Sequence, residues 1–471
     1  NVLGWVIFLI ATTVYLITAE PTVPWWDCGE YTATADKLQV GHPPGAPTFQ
    51  LIGSLFSIFA GSDTSLVAYA MNAMSAICSG FTILFLFWTI TMLAKKLVKN
   101  KEEMTLGQMI AIFASGVVGS LAYTFSDTFW YSAVESEVYA MSSCFTAISF
   151  WAILKWEAEA DDKHNLRWLI LIAFLIGISI GVHLLNLLAI PAITYVFYFK
   201  KYPNVEKNKK RNFILVGIIS MLLVAIILYF IVPYIVIFAG KFEIFFTNSI
   251  GLPFNTGTIV YFALLIGLLV WGVWYSIKKQ KVILNTALLS VLFILIGYTT
   301  FFVLVIRSNA NTPINENAPK DATALLTYLN REQYGYTPLF HGQYYNAMVV
   351  DQQESSSKYI KDKESGKYIE VKQRGKLVYE SDKTTIFPRM WSNDESRNHP
   401  TYYKMWAGID ENSDRKPTFA ENLTYFFRYQ VNHMYWRYFM WNFAGRQNDI
   451  QSHGLNLSGN EPTNVSNGTK D

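Results

Sequence analysis

Asp27 and Glu30 stand three residues apart in Trp25-Trp26-Asp27-Cys28-Gly29-Glu30-Tyr31, and His42 follows in Gly41-His42-Pro43-Pro44-Gly45-Ala46-Pro47. In a helical turn that spacing puts both carboxylates on one side. Mutual repulsion and partial burial would raise the proton affinity of one of them, which suits a general base. The competing reading is two solvated acids at the start of a helix from about Cys28 to Lys37. The pair directly follows an apolar run, Val2 to Ala19, with tryptophans of the kind that favour a water–lipid boundary beside it. Ionisable groups at a bilayer surface are expensive to leave unpartnered and so mark a candidate site.

Four further constellations carry chemistry. Glu135 and Glu137 lead from a short loop into an apolar run. Two residues apart, they cannot share a helical face, and Glu137, next to the run, is taken as the inward-facing one. Favourable placement of acids at a helix N-terminus is the alternative. His183 and Asn186 fall at the end of another apolar run, as part of a site or as satisfied core residues. Arg307 and Asn309 lie where the last apolar run ends. A guanidinium beside amides can clamp a phosphate, or the arginine can simply snorkel. Arg428, His433 and Arg437 are embedded in an aromatic stretch at helical spacing, Tyr425 to Tyr438. Rings stack on sugars and arginines pair with phosphates; a helix seated on lipid headgroups would look the same. There is no P-loop, GxGxxG, HExxH or GxSxG motif, so nucleotide use, zinc hydrolysis and a serine nucleophile lose support. Cys28, Cys78 and Cys144 are too far apart to suggest a disulfide framework or a metal set.

The elements that must position these groups are membrane helices. Of 471 residues 52% are hydrophobic and 15% charged, and the apolar runs fill residues 1–306. A span needs roughly 20 residues, and nine stretches qualify approximately: 2–19, 66–94, 106–125, 138–156, 167–183, 185–199, 212–239, 258–277 and 282–306. Residues 45–60 are apolar but short and read as an interfacial or re-entrant helix. Sixteen Lys and Arg crowd the loops 95–101, 155–167, 200–211 and 278–281, whereas the opposite loops before residue 307 carry only Lys37 and Lys241. The basic side is cytoplasmic by the positive-inside rule. The acid loops, the 240–257 loop and the polar 307–471 segment then face outward, into a periplasm or lumen. The expected fold is an all-α polytopic membrane domain, 1–306, with an α+β extracytoplasmic domain, 307–471. In the latter, helices are expected over Lys320–Gln333 and Asn422–Asn442. A hairpin is expected to pair Tyr368–Val371 with Lys376–Tyr379 across Gln373-Arg374-Gly375. A net charge of +3 is too small to imply nucleic acid. Sequons occur at Asn422, Asn456, Asn464 and Asn467.

WDCGEY, GHPPGAP, AVESEVYA, SNANTPINEN and LNREQYG together resemble a large membrane family abundant in Bacteroidota. That family is related to an animal transmembrane protein O-mannosyltransferase, and its members are regarded as GT-C-type glycosyltransferases. Members are often longer, which leaves room for a further C-terminal part. The resemblance implies a multi-pass protein of a bacterial inner membrane, or of the endoplasmic reticulum in a eukaryote. It implies a polyprenyl-phosphate-linked sugar donor, with mannose the suggested sugar, and an exported protein as acceptor. Asp27 matches the acid that acts at the acceptor in the first outer loop of GT-C enzymes, and Glu30 extends it. The protein O-mannosyltransferases need no metal, so no cofactor is called for, although Asp27 with Glu135 or Glu137 supplies acids of the kind a divalent ion takes. The expected reaction is inverting transfer to a Ser or Thr hydroxyl. Asp27 and Glu30 are expected to be catalytic, and His42, Glu135, Glu137, His183, Asn186, Arg307, Asn309, Arg428, His433 and Arg437 are expected to bind substrate. A transporter is the main rival and would show charged, broken helices near the bilayer midplane and inverted repeats. A non-catalytic envelope or secretion scaffold would leave Asp27 and Glu30 dispensable.

Overall fold

A computed structural model describes residues 1–99, 103–202, 208–335, 337–353, 357–372 and 375–444. The helices up to residue 309 are α1 (Val2–Thr18), α2 (Cys28–Asp36), α3 (Pro47–Ser57), α4 (Val67–Lys96), α5 (Leu106–Thr124), α6 (Asp127–Ala133), α7 (Val138–Ala158), α8 (Leu166–Ile180), α9 (Ala189–Lys201), α10 (Lys209–Ile226), α11 (Val232–Ile244), α12 (Thr256–Lys278), α13 (Val282–Tyr298) and α14 (Phe302–Asn309). α15 (Ala322–Leu329) follows. Short strands come next: β1 (His341–Gln343), β2 (Val349–Gln352), β3 (Ser357–Asp362), β4 (Lys367–Lys372), β5 (Leu377–Tyr379) and β6 (Thr384–Ile386). The described chain closes with α16 (His399–Ala407), α17 (Phe419–Tyr425) and α18 (Arg437–Ala444). Two compact units result. One holds residues 1–125, 129–333 and 359–369; the other holds 126–128, 334–358 and 370 onward.

Among the described residues, six helical stretches are long and apolar enough to cross a bilayer: Thr64–Lys96, Leu106–Thr124, Val138–Ala158, Lys209–Ser249, Thr256–Lys278 and Val282–Asn309. The protein is a multi-pass membrane protein. Helices form at the other three predicted spans as well, but α1, α8 and α9 have 17, 15 and 13 residues. Each falls short of the roughly 20 that a straight crossing requires. The predicted 240–257 loop is corrected too. Helix continues through α11 and a wide π turn to Ser249. The reason is Glu243, buried and accepting from the Asn255 N–H at 2.5 Å, the Thr258 N–H at 3.0 Å and the Thr258 hydroxyl at 3.1 Å. A charged pair, Lys241 and Glu243, looks like the end of an apolar run in sequence. Here the carboxylate ties the helix to the start of the next one. Another π turn, Ile227–Ile231, precedes α11 and leaves room for Pro233 in its first turn.

The bundle alternates as its loops require. The Tyr15 hydroxyl near the end of α1 donates to the Thr124 carbonyl at the end of α5, 2.8 Å away. Asn72, near the start of α4, donates to the carbonyls of Glu20 and Thr22 at 2.6 and 3.0 Å. The Glu20 N–H reaches the Val134 carbonyl just before α7. These helix ends therefore share one end of the bundle, while Lys96 and Glu157 pair at the other. α8 and α13 touch backbone to backbone at Gly177 and Gly297, where a side chain on either glycine would run into the opposing main chain.

In the second unit β1 pairs antiparallel with β6, and β2 with β5. β4 pairs with β3, not with β5, so the predicted hairpin does not form. The turn lies one hairpin earlier, at Glu364-Ser365-Gly366, where Gly366 takes φ +67° and Asp362 accepts from the Glu364 and Ser365 N–H groups. The predicted turn residues Gln373 and Arg374 lie outside the described residues. The aromatic stretch is helical from α17 through a π segment, Phe426–Trp436, into α18. Tyr344, Tyr345, Met390, Tyr403, Trp406 and Tyr425 form this unit's core. Asn422 is fully buried, bonded to the Arg389 N–H and the Phe387 carbonyl, so its sequon is sealed. The other three sequons lie outside the described residues.

Candidate active site

α2 begins where the acid spacing predicted. Asp27 is its N-cap residue, though its side chain makes no capping bond, and Glu30 lies in the first turn. Both carboxylates turn toward His42. Glu30 grips it with two oxygens: Oε1 accepts the His42 backbone N–H at 2.5 Å, and Oε2 lies 3.0 Å from Nδ1. The other ring nitrogen, Nε2, lies 4.0 Å from Asp27 Oδ2. Gly41 makes the grip sterically feasible, because a β-carbon there would come 2.6 Å from Glu30 Oε1. The His42 contact holds the Glu30 carboxyl below its ordinary range against the opposing effect of burial. The same bond raises the His42 imidazole above its own.

Glu135 and Glu137 sit beside this trio. The segment is a tight turn, with the Glu137 N–H on the Glu135 carbonyl at 2.9 Å, so the helical-face argument does not apply and both side chains are buried. Burial pushes Glu135 up to about 7, with the Glu137 charge adding to it. Burial likewise lifts Glu137 to about 7; the Asp27 charge adds to this, while a bond from the Val138 N–H and the His42 charge oppose it. Glu137 is also the N-cap of α7, so the helix-terminus reading is realised. Between the pairs, the Thr32 and Ser136 hydroxyls are 3.1 Å apart, and Ser136 donates to the Cys28 carbonyl. The buried Cys28 thiol is pushed up to about 12 by burial and by the Glu135 and Glu137 charges.

The stretch 305–316 holds this loop from behind, a role the sequence did not disclose. Arg307 donates Nε to the Leu38 carbonyl at 2.6 Å and Nη2 to the Lys37 carbonyl at 3.0 Å, fastening the end of α2. Val40 exchanges backbone bonds with Ile314 and Glu316, and Gln39 accepts from the Ile314 N–H. Asn309 bonds the Val305 and Lys320 carbonyls. The Tyr328 hydroxyl in α15 donates to the Gly41 carbonyl at 2.6 Å, with His42 O also in reach at 3.1 Å. His183 accepts from the Leu185 N–H through Nδ1, and its ring lies 5.4 Å from that of Tyr139, which follows Glu137 by two residues. Asn186 is fully buried and donates to Ser179 Oγ.

Arg428, His433 and Arg437 belong to the second unit. Arg428 is exposed. His433 is buried between Tyr429 and Trp406, and burial, then the Arg437 charge, lowers it to about 4. Arg437 donates to the His433 carbonyl and lies over the Trp441 ring. Its stacked rings are thus largely core. Among the described residues no three His, Cys, Asp or Glu side chains are grouped to hold a metal ion.

Residues 27–206 match the family described as the protein O-mannosyl-transferase TMEM260 N-terminal domain, and residues 335–427 match a family of unknown function, DUF8416. The chain is 28% identical over 142 residues to the protein O-mannosyl-transferase tmem260 of Dictyostelium discoideum; this covers 30% of the chain and 15% of that relative. It is 24% identical over 175 residues to the TMEM260 protein of Mus musculus, covering 37% of the chain and 22% of the relative. The chain is therefore related to the TMEM260 proteins, and the matched stretches span under a quarter of either relative's length. No solved structure matches. Both acid pairs, His42 and His183 fall within residues 27–206.

Proposed function

We propose that the chain is a membrane glycosyltransferase of GT-C type that moves a sugar, by analogy mannose, from a polyprenyl phosphate to a Ser or Thr hydroxyl of an exported protein. One observation carries the reading. The stretch related to O-mannosyl-transferases is the stretch that brings Asp27, Glu30, His42, Glu135 and Glu137 to one end of an apolar bundle. In the proposed reaction Asp27 takes the hydroxyl proton, the oxygen attacks the anomeric carbon, and the phosphate leaves with the electron pair of the broken bond, inverting the centre. Such a base contributes on the order of 100- to 10,000-fold; positioning and electrostatics at the phosphate supply the rest. The side chain of Asp27 is 61% exposed, as a group that meets a protein acceptor must be. Arg307 spends two of its five N–H groups on backbone carbonyls, which leaves three for a phosphate. The charge asymmetry of the loops supports a site on the face away from the cytoplasm.

The test is transfer of labelled mannose from a synthetic short-chain polyprenyl phosphate to Ser/Thr peptides by the purified chain in lipid nanodiscs. Product with inverted anomeric configuration is the expected result. No transfer from any lipid-phosphate sugar, in a folded preparation, overturns the reading.

A further inference from the structure

Glu30, His42 and Asp27 form a chain of three ionisable groups in which each end of one imidazole faces a carboxylate. Glu30 is ionised in this arrangement and donates nothing, so Nδ1 carries the ring hydrogen and points it at Oε2. In the neutral ring Nε2 is then the bare nitrogen, and it faces Asp27. The second bond from Glu30, to the His42 backbone, prevents the pair from rotating apart. Tyr328 holds the carbonyls of Gly41 and His42 from the other side.

We infer that His42 is the resting place of the proton lost by the acceptor hydroxyl, with Asp27 as its carrier and Glu30 as the residue that orients the ring. This rests on the glycosyl-transfer reading. The hydroxyl O–H bond breaks and its proton passes to Asp27. The freed electron pair of the oxygen forms the bond to the anomeric carbon, and the carbon–phosphate oxygen bond breaks with its pair leaving on the phosphate. The proton then moves from Asp27 to His42 Nε2, and the resulting imidazolium is paired with Glu30. An imidazole ordinarily holds a proton about two to three pH units more tightly than an aspartate carboxylate does, so the second transfer runs downhill. The surroundings steepen it. The groups facing His42 are Glu30 and Asp27 from α2, Glu137 from the turn before α7, and Glu316 from the segment paired with Val40. The Tyr31 ring, 5.5 Å from the imidazole, is the other neighbour. Whichever of these carboxyl groups is ionised, Glu30 first, favours the charged form of the imidazole. The side chain of Asp27 is 61% exposed, and a rotation about its side-chain bonds is the movement that would close the remaining 4.0 Å.

The measurement is the pH profile of kcat/KM for peptide transfer, with 15N-histidine NMR of the same protein to read the tautomer and titration of His42 directly. Only the unprotonated ring accepts, so transfer rises tenfold per pH unit up to the His42 pKa and then levels. That break is expected above the ordinary histidine value of about 6.5. Glu30→Gln removes the charge that raises His42, so the break moves to lower pH and the Nδ1–H signal loses its carboxylate partner. His42→Gln deletes the break at that position and slows transfer on the order of tenfold to a hundredfold. Transfer whose acid break stays in the carboxylate range, or a break that Glu30→Gln leaves in place, overturns the relay while sparing the glycosyl-transfer reading. An Nε2–H tautomer in the resting protein overturns it independently of turnover. If the wild-type protein transfers no sugar, both fail together.

Discussion

Asp27 with Glu30 and Glu135 with Glu137 are two pairs of acids at one end of the same bundle, yet the fold shifts Glu30 and the second pair in opposite directions. Glu30 has a histidine within bonding distance and keeps its charge. Glu135 and Glu137 are buried against each other and rise to about 7, so near neutrality they readily hold a proton. Burial acts on Glu30, Glu135 and Glu137 alike; the counter-group is what differs. Thus Glu30 stays ionised beside its histidine, while Glu135 and Glu137 stay partly neutral.

The sharpest break of this comparison is Asp27→Asn. It keeps the shape and removes the base, and transfer is expected to fall on the order of 100- to 10,000-fold with an unchanged unfolding temperature. Glu137→Gln in the same assay is expected to lose far less; equal losses would erase the distinction between the pairs. Stability should then show the reverse order. A carboxyl whose folded value lies near 7 against an ordinary 4.5 disfavours the folded state above pH 7 and does not below pH 4.5. Glu135→Gln should therefore raise stability at pH 8 by on the order of 1–3 kcal/mol and leave it unchanged at pH 4.5. Denaturant melts at the two pH values measure this, and destabilisation at pH 8 would mean that a bond to the Glu135 carboxylate outweighs its burial.

Arg307→Lys tests what holds the first pair in place. Lysine keeps the charge but cannot span two carbonyls. A stability loss of about 1–3 kcal/mol is expected, together with a weaker apparent donor affinity. A loss of stability with donor affinity unchanged would make Arg307 a fastener of α2 alone. Tyr328→Phe is the mildest change. It removes one shared hydroxyl donor to the Gly41 and His42 carbonyls and is expected to lower stability by about 1 kcal/mol. A much larger drop in transfer than in stability would show that the His42 backbone must be held to within a fraction of an ångström.

The local part of this arrangement was legible in the chain. The three-residue spacing of Asp27 and Glu30 reports a helical turn, and α2 forms there. The apolar runs report helices, and a helix lies in each. The failures share a cause: a distant partner set the outcome. Glu243 reads as part of a loop because the groups that donate to it, on Asn255 and Thr258, lie beyond the next turn. The hairpin was placed at Gln373-Arg374-Gly375 because a glycine between two β-rich runs is a turn signal, but Glu364-Ser365-Gly366 is another, and strand pairing chose it. Arg307 reads as a phosphate clamp or a snorkelling side chain, and nothing within twenty residues hints that two of its donors reach the carbonyls of Lys37 and Leu38. His42 was a binding candidate on its motif alone; its place between two carboxylates needs the path of the backbone from α2 through Gly41.

The pairing of Val40 with residues 314–316 also gives the site an order of assembly. A ribosome delivers Asp27, Glu30 and His42 early, with the first apolar segments. The carbonyls of Lys37, Leu38 and Gly41 and the edge at Val40 then wait while some 270 further residues are made, because Arg307, Ile314, Glu316 and Tyr328 come only afterwards. The acid-bearing loop is thus finished only after the apolar stretch ending at Asn309 has been made, and a chain halted before that point carries these acids without the frame that holds them.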